Sequence, residues 1–122
     1  MLRINKVFQA GNLTADPEIR TTGTGTPVCN FRIAVNTRIS DDKQRVMYID
    51  CAAFGKLAEA VFQYCRKGSQ VLVEGRLDED TWVAENGDHR FKHYITAYEV
   101  SFLSYLTPSD AQAPAQNDDI DI

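Results

Sequence analysis

What this sequence lacks narrows its class before any motif is read. It holds only three cysteines, Cys29, Cys51 and Cys65, with no Cys-x-x-Cys pair. An odd number at such spacing argues against a zinc site and against a disulfide framework, so buried, reduced thiols are expected. No apolar run approaches the ~20 residues that cross a bilayer. The opening Met1-Leu2-Arg3-Ile4-Asn5-Lys6 starts basic but never becomes a secretory apolar segment. A soluble protein that stays in the cytoplasm is the expectation.

Catalytic pairings are also missing. Thr22-Gly23-Thr24-Gly25-Thr26 contains glycine but lacks the Gly-Lys-Ser/Thr ending and following helix of a phosphate loop, and reads as a flexible turn. His89 and His93 would lie ~13 Å apart on a strand, too far to share a metal whose nitrogen bonds are ~2 Å. Asp78-Glu79-Asp80 has no nucleophile or base paired with it in sequence and reads as a charged, solvated strand end. No catalytic residue, metal ligand or cofactor is assigned, and an enzyme is not expected.

Nor is there a basic excess, since the net charge is −4. That value divides unevenly. Residues 107–122 carry Asp110, Asp118, Asp119 and Asp121 and no Lys or Arg. Taking those four from the 17 acidic groups leaves residues 1–106 balanced, with 13 acidic and 13 basic side chains. Overall charge is therefore no evidence for nucleic acid, although a neutral body can still present a basic face.

What is present is enough for one domain, since 43% of residues are hydrophobic and can form a core. Two parts are visible: residues 1–106 as a folded domain, and residues 107–122, TPSDAQAPAQNDDIDI, as an acidic tail with little to bury, expected to be disordered. Leu2–Ala10 reads as a first strand closed by Gly11-Asn12, with Glu18–Thr21 continuing it past a bend at Asp16-Pro17. Val28–Asn36 alternates, with Cys29, Phe31, Ile33 and Val35 on one face. In Arg45–Phe54 the odd positions Met47, Ile49, Cys51 and Ala53 suit a core, while Val46, Tyr48, Asp50, Ala52 and Phe54 form a mixed face. The period then changes: Leu57, Ala58, Val61, Phe62 and Cys65 form a helical stripe over Lys56–Lys67, with Arg66 and Lys67 at the negative end and Gly68 as cap. Val71–Leu77 and Asp78–Ala84 are read as two further strands. Asn86-Gly87 marks a hairpin, and Arg90–Leu103 is a long last strand. Five strands with one helix between the third and fourth is the order of an all-β OB-fold barrel. An open sheet of the same elements is the alternative, and closure is favoured because it removes edges.

The candidate chemistry is binding. Tyr48 and Phe54 share the mixed face, six residues and hence roughly 20 Å apart at ~3.3 Å per residue. That suits successive bases of an extended strand better than one small ligand. Trp82 stands on a hairpin arm beside Asp80, where core packing explains it poorly. Stacking on aromatic rings contributes roughly 1–3 kcal/mol per base and tolerates any sequence. The plainer reading is that these rings cover the barrel or a subunit contact. Arg3, Lys6, Arg20, Arg32, Arg38, Arg45, Lys56, Arg76, Arg90 and Lys92 are dispersed among them, as a phosphate track requires; an ordinary solvated surface is the alternative for each.

Four blocks in order resemble the bacterial single-stranded DNA-binding protein family. They are Asn5-Lys6-Val7 through Asp16-Pro17-Glu18-Ile19-Arg20, then Phe54-Gly55-Lys56-Leu57-Ala58-Glu59, then Lys67-Gly68-Ser69-Gln70-Val71 through Gly75-Arg76-Leu77, and Trp82 with Asn86-Gly87. The resemblance implies an OB fold, usually in a homotetramer, holding single-stranded DNA during DNA replication, recombination and repair at the nucleoid. It implies stacking roles for Tyr48, Phe54 and Trp82, and phosphate contacts at Lys6, Arg20 and Lys56. Arg3, Arg32, Arg38 and Arg90 complete the expected DNA-binding set. Three departures stand out. Ile39 occupies a place where the family commonly has another aromatic, so that loop should grip less. Asp78-Glu79-Asp80 stands where the family is usually basic, which should weaken that arm. The end, Asp118-Asp119-Ile120-Asp121-Ile122, keeps acid and an apolar terminus but no Pro-Phe; recruitment of replication and repair proteins through it is the expectation. An OB-fold accessory protein that bridges other proteins is the competing reading.

Overall fold

The structure is a computed structural model and describes residues 1–103. The tail residues from Asp118 to Ile122, and the boundary expected after residue 106, lie outside the described residues. The elements run β1 Val7–Leu13, β2 Glu18–Thr21, β3 Pro27–Ser40, β4 Lys43–Phe54, α1 Lys56–Tyr64, β5 Gln70–Val83 and β6 His89–Phe102. β1 pairs antiparallel with β5 along most of its length, and at its end with β3 through Asn12↔Ala34 and Leu13↔Ile33. β3 pairs with β4, β5 pairs with β6, and a short parallel ladder from Asp50↔Tyr94 to Ala52↔Thr96 joins β4 to β6. The circuit β1-β5-β6-β4-β3-β1 is closed, giving a five-stranded barrel. β2 hangs outside it on β3, beyond the bend at Asp16-Pro17. Counted by barrel strands, α1 lies between the third and fourth, the OB order expected.

Alternation decides what enters the barrel. Cys29, Phe31, Ile33 and Val35 of β3 turn inward, as do Cys51 and Ala53 of β4 and Val71 and Val73 of β5. Ala58 and Val61 of α1 join that core, packed against β3 and β4. All three cysteines are buried and unbridged. Burial pushes the Cys51 thiol up to about 12 and those of Cys29 and Cys65 to about 11.

Several expectations need correction. Gly11-Asn12 does not close the first strand, which begins at Val7 rather than Leu2 and runs through to Leu13. Gly11 is needed there because β3 crosses close by: a Cβ would sit 2.3 Å from the Ala34 carbonyl oxygen. Met47, placed in the core by alternation, is 40% exposed. Its cross-strand partner Val35 is the last core residue on that face of β3, so Met47 lies at the rim, where the β3–β4 hairpin leaves the barrel. Val71–Leu77 and Asp78–Ala84 are one strand, β5, whose ladder with β6 continues from Val71↔Phe102 to Val83↔His89. The change of composition at Asp78 marks the exit from the barrel, not a turn. The helix stops at Tyr64, short of the expected Lys67, because Cys65 is extended and buried. Arg66 still serves the helix end, donating from Nη1 to the Phe62 and Cys65 carbonyls. The hairpin at Asn86-Gly87 is present, with Gly87 at φ 90°.

One irregularity matters for everything on β6. Glu74 pairs with Glu99 but Gly75 pairs with Ala97, leaving Tyr98 as an extra residue. Val100 therefore faces inward on one side of this bulge, and Ala97 and Ile95 on the other. Gly75 allows the tight crossing, since a Cβ there would lie 2.0 Å from the Thr96 oxygen.

Gly75→Ala is expected to cost about 3 kcal/mol, the upper range for forced overpacking, read as a lower urea midpoint at unchanged slope. The three native thiols should resist a disulfide reagent in the folded state and react on denaturation.

Candidate nucleic-acid interface

The side chains that point away from the core make one continuous outer face across β2, β3, β4, β6 and β5. Opposed residues of an antiparallel ladder share a face. The pairs Arg20↔Val28, Val28↔Phe54, Asn30↔Ala52, Arg32↔Asp50, Ala34↔Tyr48 and Arg38↔Gln44 therefore lie together. Across the β5–β6 arm the same face carries Trp82↔Arg90, Asp80↔Lys92 and Asp78↔Tyr94. Its centre is an open groove of about 500 Å³ lined by Arg20, Arg32, Phe54 and Lys92, with Asn30, Tyr94, Asp50 and Asp80 among the other wall residues.

The three expected stacking rings are all uncovered: Tyr48 is 62% exposed, Phe54 48% and Trp82 48%. Phe54 lines the groove, Tyr48 follows it outward along the β3–β4 hairpin, and Trp82 stands near the tip of the other arm beside Val83, Phe91 and Arg90. Of the expected cations, Arg20 and Arg32 line the groove, while Arg38 and Arg90 share the face further out. Lys56 opens α1 two residues after Phe54. Arg3 and Lys6 do not line the groove. Lys6 is 3.0 Å from Glu74 and 5.7 Å from the centre of the Phe8 ring, on the β1–β5 side. Ile39, the departure on the β3–β4 hairpin, is exposed.

The electrostatics of the groove were not anticipated. Asp50 accepts hydrogen bonds from Arg32 Nε at 2.7 Å on Oδ1 and from the Lys92 ammonium at 2.9 Å on Oδ2. The Arg32 guanidinium, and then Lys92, hold the Asp50 carboxyl below the usual carboxylate range, against the opposing push of partial burial. The acidic triplet is also less exposed to repulsion than its composition implies. Asp78 is bound by the Thr96 hydroxyl and by Arg76, and is held low by them in that order, while Glu79 faces His93 at 3.1 Å. Asp80 makes no ion pair among the described residues. Arg20, Arg38 and Lys56 likewise make none among those residues. The sequence gives Asp50 only as part of a mixed face and Lys92 only as one of many dispersed cations; their pairing follows from the register that puts Arg32 opposite Asp50 and from the contact of Lys92 with the same carboxylate. No group of three or more His, Cys, Asp or Glu among the described residues could hold a metal. No helix among them is long and apolar enough to cross a membrane.

Because both Asp50 and Asp78 titrate below their unfolded value of ~3.9, the stability they contribute is present above that pH and lost as pH falls through the folded value. Urea midpoints should therefore drop as pH falls below about 5, and Asp50→Asn should remove part of that drop.

Residues 4–103 match the model of the single-strand binding protein family. "Single-stranded DNA-binding protein 2" of Chlorobaculum tepidum is 44% identical over 109 residues, covering 85% of this chain and 74% of that protein. The single-stranded DNA-binding protein of Helicobacter hepaticus is 38% identical over 117 residues, 93% of this chain and 68% of the relative. That of Thermus thermophilus is 39% identical over 110 residues, but this chain spans only 40% of its length.

Proposed function

The chain belongs to the single-strand binding protein family, and on that premise we propose that it binds single-stranded DNA with little sequence preference, as a binder and not an enzyme. The observation that carries this reading is the exposure of Tyr48, Phe54 and Trp82 on one outer face, with Arg20, Arg32 and Lys92 between them. Bases stack on the rings and phosphates take the cations, which displaces counterions and makes affinity fall with salt. Every base offers a π-face, so the same rings serve any sequence. The stacking magnitude is the general one for this class of protein.

Arg38, Lys56 and Arg90 extend the phosphate track beyond the groove, and Arg3 and Lys6 serve a strand that continues around the barrel. The folded domain comprises residues 1–106 and the tail residues 107–122. Bound strands are protected during replication, recombination and repair in the cytoplasm, at the nucleoid, by a homotetramer. The tail, through Asp118, Asp119, Ile120, Asp121 and Ile122, recruits partner enzymes by acid and an apolar end. The accessory-protein reading draws on the four carboxylates of the groove wall, Asp16, Glu18, Asp50 and Asp80. It requires weak or absent strand binding.

Trp82, the single tryptophan, should be quenched by oligo-dT, less so at higher salt, and not by duplex DNA. Alanine at Tyr48, Phe54 or Trp82 should each weaken binding by roughly 1–3 kcal/mol. Labelled oligo-dT that shows no anisotropy change at any salt would hand the case to the accessory reading. For the tail, deletion of Asp118–Ile122 should abolish pull-down of partner enzymes while leaving oligo-dT affinity near that of the full chain; undiminished pull-down overturns the recruitment role.

A further inference from the structure

Of the charged groups on the groove wall, Asp50 is the one that ties three strands together. It sits on β4 between Arg32 of β3 and Lys92 of β6, and each of its carboxylate oxygens receives one of them, at 2.7 and 2.9 Å. A second guanidinium nitrogen, Arg32 Nη2, approaches Oδ2 at 3.4 Å. This two-oxygen, fork-like arrangement is the one a guanidinium makes with phosphate. The cluster is only partly buried, so a strand entering the groove meets both cations already engaged. Arg20, on the same wall, has no such partner among the described residues.

We propose that Asp50 is an internal counter-anion, standing where a strand phosphate would stand, that competes for Arg32 and Lys92 and so sets the affinity and salt dependence of the groove. The inference rests on the reading of this groove as a single-strand site. When a phosphate takes Arg32 or Lys92, condensed counterions leave the DNA, but the released carboxylate attracts a cation in their place. Net ion release is then smaller than the number of contacted phosphates implies. Asp50 thus acts as an affinity-determining residue in the binding step, limiting how tightly an otherwise well-placed pair of cations can hold the strand.

The test compares wild type, Asp50→Asn and Asp80→Asn against oligo-dT over a range of salt. Asp80 faces Lys92 across the β5–β6 ladder and lines the same groove, so its variant makes the same charge change without opening the Asp50 ion pairs. Asp50→Asn is expected to bind about fivefold tighter at low salt, from two partly exposed ion pairs. Its plot of log affinity against log salt should be steeper than wild type by roughly one ion or less. Asp80→Asn should gain less than half as much. Weaker binding by Asp50→Asn overturns the proposal, because the carboxylate would then be aligning the cations productively. Equal gains in the two variants overturn it as well, leaving only net charge. A measurement on wild type guards against a misfolded variant: the Arg32 Nε–H and Asp50 carboxyl resonances should both move on saturation with oligo-dT, and unmoved signals overturn the exchange. If wild type fails to bind, the single-strand reading falls and this inference with it; if wild type binds and Asp50→Asn is no tighter, only the inference falls.

Discussion

Closing five short strands into a small barrel forces backbones together where strands cross. In this chain the crossings fall at Gly11 against Ala34 and Gly75 against Thr96, positions where no side chain fits. The rest of the architecture follows from that closure. Because β1 reaches both β5 and β3, the apolar faces of all five strands meet inside, and α1 adds Ala58 and Val61 to the same core. What remains of β3, β4, β5 and β6 then extends past the barrel as two arms. Their outward residues need not pack, so rings and charges can occupy them. The parallel ladder between β4 and β6 is short, yet it sets Asp50 beside Lys92 and makes the two arms parts of one face.

That face is not a simple basic strip. Its cations come in two conditions. Arg20, Arg38 and Lys56 make no ion pair among the described residues, whereas Arg32, Lys92, Arg76 and Arg90 each lie within 4 Å of a carboxylate. On this face acid and base are thus interleaved through cross-strand and near-neighbour pairs. Such exposed pairs add little to folding and are open to exchange. The aromatic rings, which need no counter-charge, carry the part of recognition that salt does not screen.

The all-β class, the helix ahead of β5 and the mixed outer face of β4 were legible because alternation and the change to helical period are local signals. Met47 was misplaced because alternation reports which side a residue faces and not whether anything lies there. Gly11 was read as a stop because a glycine in a strand looks the same whether it breaks the strand or admits a crossing one. The split of β5 at Asp78 had a similar cause: charge appeared where the strand left the core, and composition alone cannot tell an exit from a turn. Asp50 was hidden for a different reason. Its partners lie 18 and 42 residues away in sequence, and only register brings them together. Arg3 and Lys6, assigned largely by position, lie off the groove, and the distance between sequence blocks and surface geometry is greatest there.

The extra residue at Tyr98 reaches further than its own neighbourhood. Side chains alternate along β6, so adding one residue to the strand inverts the sense of everything beyond it. Val100 and Ile95 can both point into the barrel only because that inversion occurs between them. The outward direction of Tyr94, Lys92 and Arg90 is inherited from the same step. Tyr98 is in this sense a reading frame for side chains. Losing one residue there would leave the composition of the groove intact while turning its β6 wall inside out, so length at this position is constrained more tightly than identity.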